Sequence, residues 1–195
     1  MEKTDEMLID AHCQGDPAAF AELVRRYGDR LLGYLVRMSG SRDQTEDLFQ
    51  ETFKRVYQKA HTFRGPRFKS WLFKIATRVA IDAMRKRKRM PAVSLNQQLD
   101  CDGDGEQLGA VALADNSCNP AEQAMKAEQT EQVKQAIELL PPKQRATLVL
   151  AYYQQLSYSE VAAVLGCSVG TVKTQMYRAL RALAQRLPDM SGVAK

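Results

Sequence analysis

The chain has 195 residues, of which 45% are hydrophobic and 7% aromatic, and its formal net charge at pH 7 is +5. Its longest apolar run, residues 146–153, is far too short to span a bilayer, and its charged N-terminus lacks the apolar core of a secretion signal. These features argue against a membrane-spanning or secreted protein and predict a cytosolic one, with one ordinary domain or two small ones.

The first ninety residues show the three- and four-residue spacing of apolar side chains that is typical of helices. Asp16 and Pro17 predict the start of one helix, because aspartate caps a helix and proline lacks only an N–H that would be unpaired there. Asp43, with Glu46 three residues later, predicts a capping box at the start of the next helix. A third long helix follows a turn at 64–67.

The third predicted helix carries most of the positive charge. Between residues 64 and 89 there are ten lysines and arginines and a single acid, Asp82. Five consecutive bases at 85–89 exceed what the C-terminal dipole of a helix needs, so we predict that they contact phosphates. The thirty residues that follow contain five acids and no base. Positive and negative charges therefore lie in separate segments of the chain.

Residues 91–120 lack sustained periodicity and contain several glycine, asparagine and aspartate residues, which is typical of a linker. An unstructured loop of this length is uncommon inside one compact domain. The predicted fold is therefore all-α, with two small helical domains at 1–90 and 121–190 joined by an acidic flexible linker at 91–120.

The last two predicted helices form a helix-turn-helix pattern. Ser157 and Glu160 form a capping box, Gly166 ends the first helix and Ser168 caps the second. The predicted apolar stripe of the second helix consists of Val169, Val172, Met176, Leu180 and Leu183. Its opposite face offers cationic, amide and hydroxyl groups to the acceptors of a DNA major groove. An ordinary helical hairpin with a solvated face has the same pattern, so this segment alone leaves both interpretations open.

The cysteines and histidines do not have the spacing of metal ligands. No Cys-x-x-Cys pair occurs, and the two histidines lie far from most of the cysteines. We therefore predict no metal and no cofactor, and no structural disulfide either, because cytosolic thiols stay reduced. The four cysteines are Cys13, Cys101, Cys118 and Cys167.

Two segments together resemble the bacterial RNA polymerase sigma factors of the extracytoplasmic function (ECF, group IV) class. Residues 47–89, DLFQETFKRVYQKAHTFRGPRFKSWLFKIATRVAIDAMRKRKR, are similar to sigma domain 2. Residues 140–183, LPPKQRATLVLAYYQQLSYSEVAAVLGCSVGTVKTQMYRALRAL, are similar to sigma domain 4. The resemblance implies a non-enzymatic subunit that binds core RNA polymerase and recognises the minus-10 and minus-35 elements of a promoter.

The resemblance also implies which residues make each contact. Docking on the β′ clamp of core polymerase is implied for Asp47, Leu48, Gln50 and Glu51. The β flap is implied as a second partner surface of the polymerase. Contact with minus-10 DNA is implied for Phe63, Arg64, Arg67, Phe68, Lys69, Lys74, Arg78, Arg85 and Arg87. Contact with minus-35 DNA is implied for Ser168, Thr171, Lys173, Thr174, Gln175 and Arg178. Trp71 lies in a predicted helix among apolar neighbours. This favours a position in the core over a role in stacking on bases.

Members of this class are commonly silenced by an anti-sigma factor, so the resemblance also implies that partner. It further implies a cytoplasmic location, with sequestration at the inner membrane where the anti-sigma factor is anchored there. The two promoter elements lie about two helical turns apart, roughly 70 Å. A linker of about 30 residues spans up to about 100 Å when extended, enough to bridge them.

Two other functions remain as alternatives at this point. A free-standing helix-turn-helix regulator would need a ligand pocket or a phosphoacceptor aspartate in residues 1–90, where no phosphate-binding loop or strand pattern occurs. An enzyme acting on nucleic acid would need clustered carboxylates, whereas the most basic segment contains only Asp82. Binding to core polymerase would separate the sigma factor from both.

Overall fold

The structure, a computed structural model, describes residues 3–65, 67–89 and 120–187, of which 120–126 are described by backbone only. Every regular element among these residues is helical, which confirms the all-α prediction. The α-helices are α1 (Asp5–Cys13), α2 (Pro17–Ser39), α3 (Arg42–Lys59), α4 (Phe68–Arg89), α5 (Pro120–Glu138), α6 (Pro142–Leu148), α7 (Tyr158–Leu165) and α8 (Val169–Arg186). A 3-10 turn at Ala60–Thr62 follows α3, and a π-helical turn at Val149–Tyr153 follows α6. Most of the predicted linker lies outside the described residues, so the division at 91–120 stays a prediction.

The predicted start of α2 is confirmed. The Asp16 carboxylate accepts a hydrogen bond of 2.9 Å from the backbone N–H of Ala18, and Pro17 occupies the first turn. At the other end Gly40 adopts a left-handed conformation with φ of 73°, which glycine tolerates without strain. Helix α1, which the sequence analysis did not single out, packs against α2, and its Asp5 accepts a hydrogen bond from the Tyr27 hydroxyl.

The capping box predicted at Asp43 is wrong. Helix α3 begins at Arg42, its N-cap is Ser41, and no side chain caps it. The Ser41 carbonyl instead accepts hydrogen bonds from the backbone N–H and the hydroxyl of Thr45, at 3.1 and 2.6 Å. Because the chain turns at Gly40, the helix starts earlier than the acidic pair indicates, and Asp43 lies in the first turn, where it favours the helix dipole.

Helices α2, α3 and α4 form the N-terminal half of the core. The Tyr34 and Phe73 rings lie edge to face with centroids 5.3 Å apart, and the Tyr34 hydroxyl bonds the Thr77 hydroxyl at 2.7 Å. Leu72 and Val56 are fully buried between these helices. This packing fixes the direction of α4, and with it the positions of the basic side chains on its exposed face.

Helices α6, α7 and α8 form the C-terminal half, and here two of the five residues of the predicted stripe are exposed. Val172 and Met176 are buried as expected, but Leu180 is 52% exposed and Val169 is 40% exposed. The small side chain of Ala179 is buried in place of Leu180. A close helix crossing favours alanine there, because a larger side chain would hold the helices apart.

The two halves of the described chain also pack against each other and share one continuous hydrophobic core. Helix α4 contacts α6 and α7, and α2 contacts α5, α6 and the π-helical turn. The sequence analysis did not predict this packing. None of the helices in the described ranges is both long and apolar enough to cross a bilayer.

Candidate nucleic-acid interface

Helices α7 and α8 form a helix-turn-helix whose predicted caps are all present. The Glu160 carboxylate accepts from the backbone N–H of Ser157 at 2.9 Å, and the Ser157 hydroxyl accepts from the N–H of Glu160 at 3.3 Å. Gly166 closes α7 in a left-handed conformation with φ of 66°, and the Ser168 hydroxyl accepts from the N–H of Thr171 at 3.1 Å. These local bonds fix the direction in which α8 leaves the turn.

The face of α8 away from the core presents most of the residues predicted to contact minus-35 DNA. Thr171, Lys173 and Arg178 are exposed, and Gln175 is half-buried. The hydroxyl of Thr174 donates to the Gly170 carbonyl at 3.0 Å, so Thr174 and the cap Ser168 make hydrogen bonds within the element. The face therefore offers two cations and an amide to a ligand, on a backbone that the small polar residues brace.

The loop before α4 is braced by its own arginine. The Arg64 guanidinium donates to the carbonyls of His61 and Phe63, at 2.7 and 2.8 Å. Gly65 has φ of 112°, a conformation that favours glycine and lets the chain turn toward α4. Arg67, the residue before α4, is exposed.

The aromatic residues around this loop pack on each other. The rings of Phe63, Phe68 and Trp71 are mutually in contact, with centroid distances of 5.3–5.9 Å. Phe68 is 1% exposed and also contacts Tyr27, so its ring is inaccessible to a DNA base in this arrangement. Trp71 packs against the core, as its apolar neighbours indicate, and so does Phe63; both side chains are half-buried.

The remaining predicted minus-10 residues lie along α4. Arg78, Arg85 and Arg87 are exposed and Lys74 is half-buried. Lys69 differs, because its ammonium donates to the Gln154 carbonyl at 2.7 Å and burial lowers the pKa of this lysine. Arg85 also pairs with Asp82 at 3.8 Å, and Arg87 donates to the Gln44 amide oxygen of α3 at 3.3 Å, but both arginines remain exposed.

The predicted polymerase-docking residues lie on α3. Asp47 and Gln50 are exposed side by side, whereas Leu48 is only 8% exposed and points into the core. The Glu51 carboxylate forms an ion pair with Arg55 at 2.7 Å. Asp47, Gln50 and Glu51 thus present an acidic and amide surface, and Leu48 anchors the helix beneath it.

The part of the chain that the structure describes contains no group of three histidine, cysteine or acidic side chains that could hold a metal ion. Cys13 and Cys167 are free thiols, and the two remaining cysteines lie outside the described residues.

The family models for Sigma-70 region 2 and Sigma-70, region 4 match residues 23–90 and 130–183. Over 178 residues the chain is 34% identical to the ECF RNA polymerase sigma factor SigW of Bacillus subtilis (strain 168), covering 91% of this chain and 93% of SigW. The chain belongs to the ECF RNA polymerase sigma factors. It is also 33% identical to the RNA polymerase sigma-H factor of Pseudomonas aeruginosa, over 97% of this chain and 96% of that protein.

Two solved structures share the fold of this sigma factor. CnrH in complex with the cytosolic domain of CnrY matches with a TM-score of 0.68 at 24% identity, covering 97% of this chain and 100% of that chain. The sigma factor RpoE of Bartonella quintana, in complex with the anti-sigma factor NepR, matches with a TM-score of 0.62 at 24% identity, over 88% of this chain and 98% of that chain. At this identity the likeness shows the fold alone.

Membership of this family decides among the alternatives. Sigma factors are non-enzymatic, DNA-binding initiation factors that bind core RNA polymerase and promoter DNA, so this chain is not an enzyme and the free-standing regulator is not favoured.

The sequence analysis missed the residues that join the two halves, among them Arg37, Arg145 and Gln154. Only their polar character within otherwise apolar stretches could have drawn attention to them.

Proposed function

We propose that the two halves of this ECF sigma factor divide promoter recognition between them. Residues 1–90 dock on core polymerase and recognise the minus-10 element, residues 121–190 recognise the minus-35 element, and 91–120 connect them. The observation that supports this division most strongly is the cationic and amide outer face of α8, the second helix of a fully capped helix-turn-helix. The same chain contains a second basic helix, α4, whose exposed face can bind a separate stretch of DNA.

In the minus-35 contact, Arg178, Lys173 and Gln175 reach base edges and phosphates. The side chains of arginine and glutamine match the acceptor and donor patterns of guanine and adenine in the major groove. Thr171 contacts the backbone of the DNA, while Ser168 and Thr174 hold the first turn of α8 in place through their hydrogen bonds. The positive end of the helix dipole adds an attraction for phosphate.

In the minus-10 contact, Arg67, Lys69, Lys74 and Arg78 bind the opened strand along α4. Phe63 and Arg64 shape the loop that receives an unstacked base, because aromatic faces and cationic grooves hold single-stranded DNA. Phe68 supports this loop from the core, in line with its burial. Arg85 and Arg87, at the far end of α4, neutralise phosphates and contribute affinity without reading sequence.

In polymerase docking, Asp47, Gln50 and Glu51 contact the β′ clamp, and the C-terminal half contacts the β flap. An acidic and amide helix face can meet a basic helical hairpin without repulsion, and the charges favour one orientation. Leu48 contributes by packing beneath the surface, which keeps the turn of α3 rigid.

We further propose that an anti-sigma factor controls this protein in the cytoplasm. The RpoE protein of Bartonella quintana, which shares this fold, was solved with the anti-sigma factor NepR. An anti-sigma factor anchored in the inner membrane would hold the protein at that membrane. Recovery of the chain only from the soluble fraction before induction would contradict this location.

The proposed function predicts specific transcription by a reconstituted holoenzyme. Purified chain mixed with core polymerase is expected to give run-off transcripts with a defined start on a promoter library, because the two halves together select both elements. Core polymerase without the chain is the control. Failure of the chain both to bind the core and to direct initiation from any defined start would contradict the proposal.

Substituting Gln50→Ala should weaken binding to core polymerase without changing promoter preference. Loss of one interfacial hydrogen bond costs about 1 kcal/mol, or roughly fivefold in affinity. The measurement is a titration of labelled core polymerase, followed by transcription at saturating sigma factor. Gln58→Ala is the matched control, since Gln58 is exposed on the same helix two turns further on. If the two variants bound core polymerase with equal affinity, Gln50 would not be part of the interface.

A further inference from the structure

A cavity lined by cations and amides lies where α4, α6 and α8 meet. Arg85 of α4, Lys143 of α6 and Arg178 of α8 line this space of about 330 Å³. Gln144 and Gln175 line it as well, and none of the described residues around it is an acid. Three positive charges and two amide groups therefore face one small space.

The cavity continues along α8 into a second one of about 380 Å³, which shares Gln144 and Arg178 with the first. Arg181 and Arg186 add two further cations, and again no acid of the described residues lines the space. Both volumes lie in the lower part of the range of roughly 300–1,000 Å³ that is typical of ligand sites. We refer to the two cavities together as the cationic groove.

Acids near the cationic groove leave most of its positive charge in place. Asp82 pairs with Arg85 at 3.8 Å, and both side chains are at least 60% exposed, so water screens this pair. Arg145, two residues after Lys143 on α6, adds a further positive charge and is only 4% exposed. The groove therefore attracts anions.

One wall of the cationic groove is rigid. Pro141 lines both cavities and Pro142 lines the first, at the start of α6. The proline ring fixes φ near −65°, and Pro141 has φ of −54°. A wall that needs no ordering when a ligand binds lowers the entropic cost of binding.

The side chains of the groove match a short chain of phosphates. Lysine and arginine form charge-assisted hydrogen bonds with phosphate oxygens, and glutamine amides add neutral N–H donors. A DNA duplex does not fit, because a recognition helix must enter a major groove about 12 Å wide, whereas α4 and α6 flank Gln175 and Arg178 of α8 here. A linear oligophosphate is narrow enough and carries a dense negative charge.

The groove offers little to a nucleobase. No aromatic side chain lines either cavity in the part of the chain that the structure describes, so a base has no ring on which to stack. Recognition therefore depends on the phosphates, which inorganic tripolyphosphate and a nucleoside triphosphate have in common.

We propose that the cationic groove is a binding site for an oligophosphate of three or more phosphates, held through its phosphate chain. Gln175 and Arg178 are also proposed minus-35 contacts, so a bound oligophosphate would withhold them from DNA. This consequence alone rests on the proposed function. Oligophosphate binding itself is a property of the free chain and is measured without polymerase or promoter.

The test is isothermal titration calorimetry of the free, full-length chain with magnesium-free tripolyphosphate, ATP and inorganic phosphate at one fixed salt concentration. We expect saturable binding of tripolyphosphate and of ATP with affinities that differ by less than about fivefold, the contribution of one hydrogen bond. Inorganic phosphate should bind at least about tenfold more weakly, because it reaches fewer cations. Absence of saturable tripolyphosphate binding, or a larger preference for ATP, would overturn the proposal.

Substituting Lys143→Gln should weaken tripolyphosphate binding by about tenfold, since it removes one charge-assisted hydrogen bond, and Lys143→Arg should keep most of the affinity. Lys143 is exposed and is not one of the proposed DNA or polymerase contacts. The matched control is Lys173→Gln, which removes the same charge from α8 at an exposed minus-35 contact that does not line the groove. Circular dichroism checks that every variant keeps its helices.

The comparison of these variants separates a defined site from a diffuse attraction to a positive surface. If Lys173→Gln weakened tripolyphosphate binding as much as Lys143→Gln, or if Lys143→Gln kept the full affinity, the proposal would be overturned. A failure of the run-off assay would overturn the proposed function and leave the binding result standing.

Discussion

Replacing Arg178 by alanine is expected to reduce initiation at promoters with the preferred minus-35 element by about 5- to 150-fold. Arg178 is exposed on the face of α8 that lies opposite the buried Val172 and Met176. A bidentate contact between an arginine and a guanine contributes about 1–3 kcal/mol of discrimination, which corresponds to that range. Run-off transcription on templates randomised at the minus-35 element measures both the loss and the change in preferred sequence.

The matched control for this prediction is Arg186→Ala. Arg186 is an exposed arginine on the same helix, two turns further on, and within the described ranges it donates to the Ala182 carbonyl of that helix at 3.4 Å. We expect Arg186→Ala to keep the preferred sequence. If Arg178→Ala weakened all templates equally, Arg178 would be a phosphate contact, and if it weakened none, α8 would not be the recognition helix.

Replacing Phe68 by alanine is expected to lower the free energy of unfolding by about 3–5 kcal/mol, since a fully buried aromatic ring leaves a cavity when it is removed. The Phe68 ring is 1% exposed and contacts Tyr27, Phe63 and Trp71, with centroids 5.3, 5.9 and 5.8 Å away. Urea denaturation followed by fluorescence measures the loss, because Trp71 is the single tryptophan of the chain and touches the substituted ring. Phe73→Ala, at an equally buried position further along α4, should cost a similar amount.

The variant Phe68→Leu separates a core role from a base-stacking role. Leucine keeps most of the buried volume, so a residue that only supports the loop should allow near-normal transcription at temperatures where the variant is folded. If Phe68 stacks on a base, the Phe68→Leu variant should fail to open the minus-10 region even when the protein is fully folded, because leucine has no aromatic face. The second result would require the loop to rearrange on binding DNA and would contradict the supporting role proposed for Phe68.

Local signals in the sequence predicted local structure well. Asp16 with Pro17, and Ser157 with Glu160, mark helix starts that the structure confirms, because the hydrogen bonds of a cap join residues only two or three positions apart. The signal failed at Asp43, where the preceding turn at Gly40 sets the start of α3. It failed again at Leu180, because helical spacing does not reveal how closely a neighbouring helix approaches.

The candidate site was predictable to a similar degree. The exposed positions of Arg178 on α8 and of Gln50 on α3 follow from the period of each helix, which also places the apolar residues on the opposite face. The burial of Phe68 and Leu48 was not predictable from the residues that match the family, because a motif names positions without saying which of them face the core. Their contribution through packing became visible only in three dimensions.

The amino-acid sequence alone determined the helical class, the helix caps of the helix-turn-helix, the segregation of charge and the likeness to sigma factors, all of which depend on neighbours along the chain. Only the tertiary structure decided that Lys69 bonds Gln154, that Arg145 reaches Met38, and that α4 and α8 share one pocket. These contacts join residues that are far apart in sequence, and they form only where packing brings an unpaired carbonyl and a donor together away from water. Neither the helical spacing of apolar residues nor a cap residue specifies such long-range contacts.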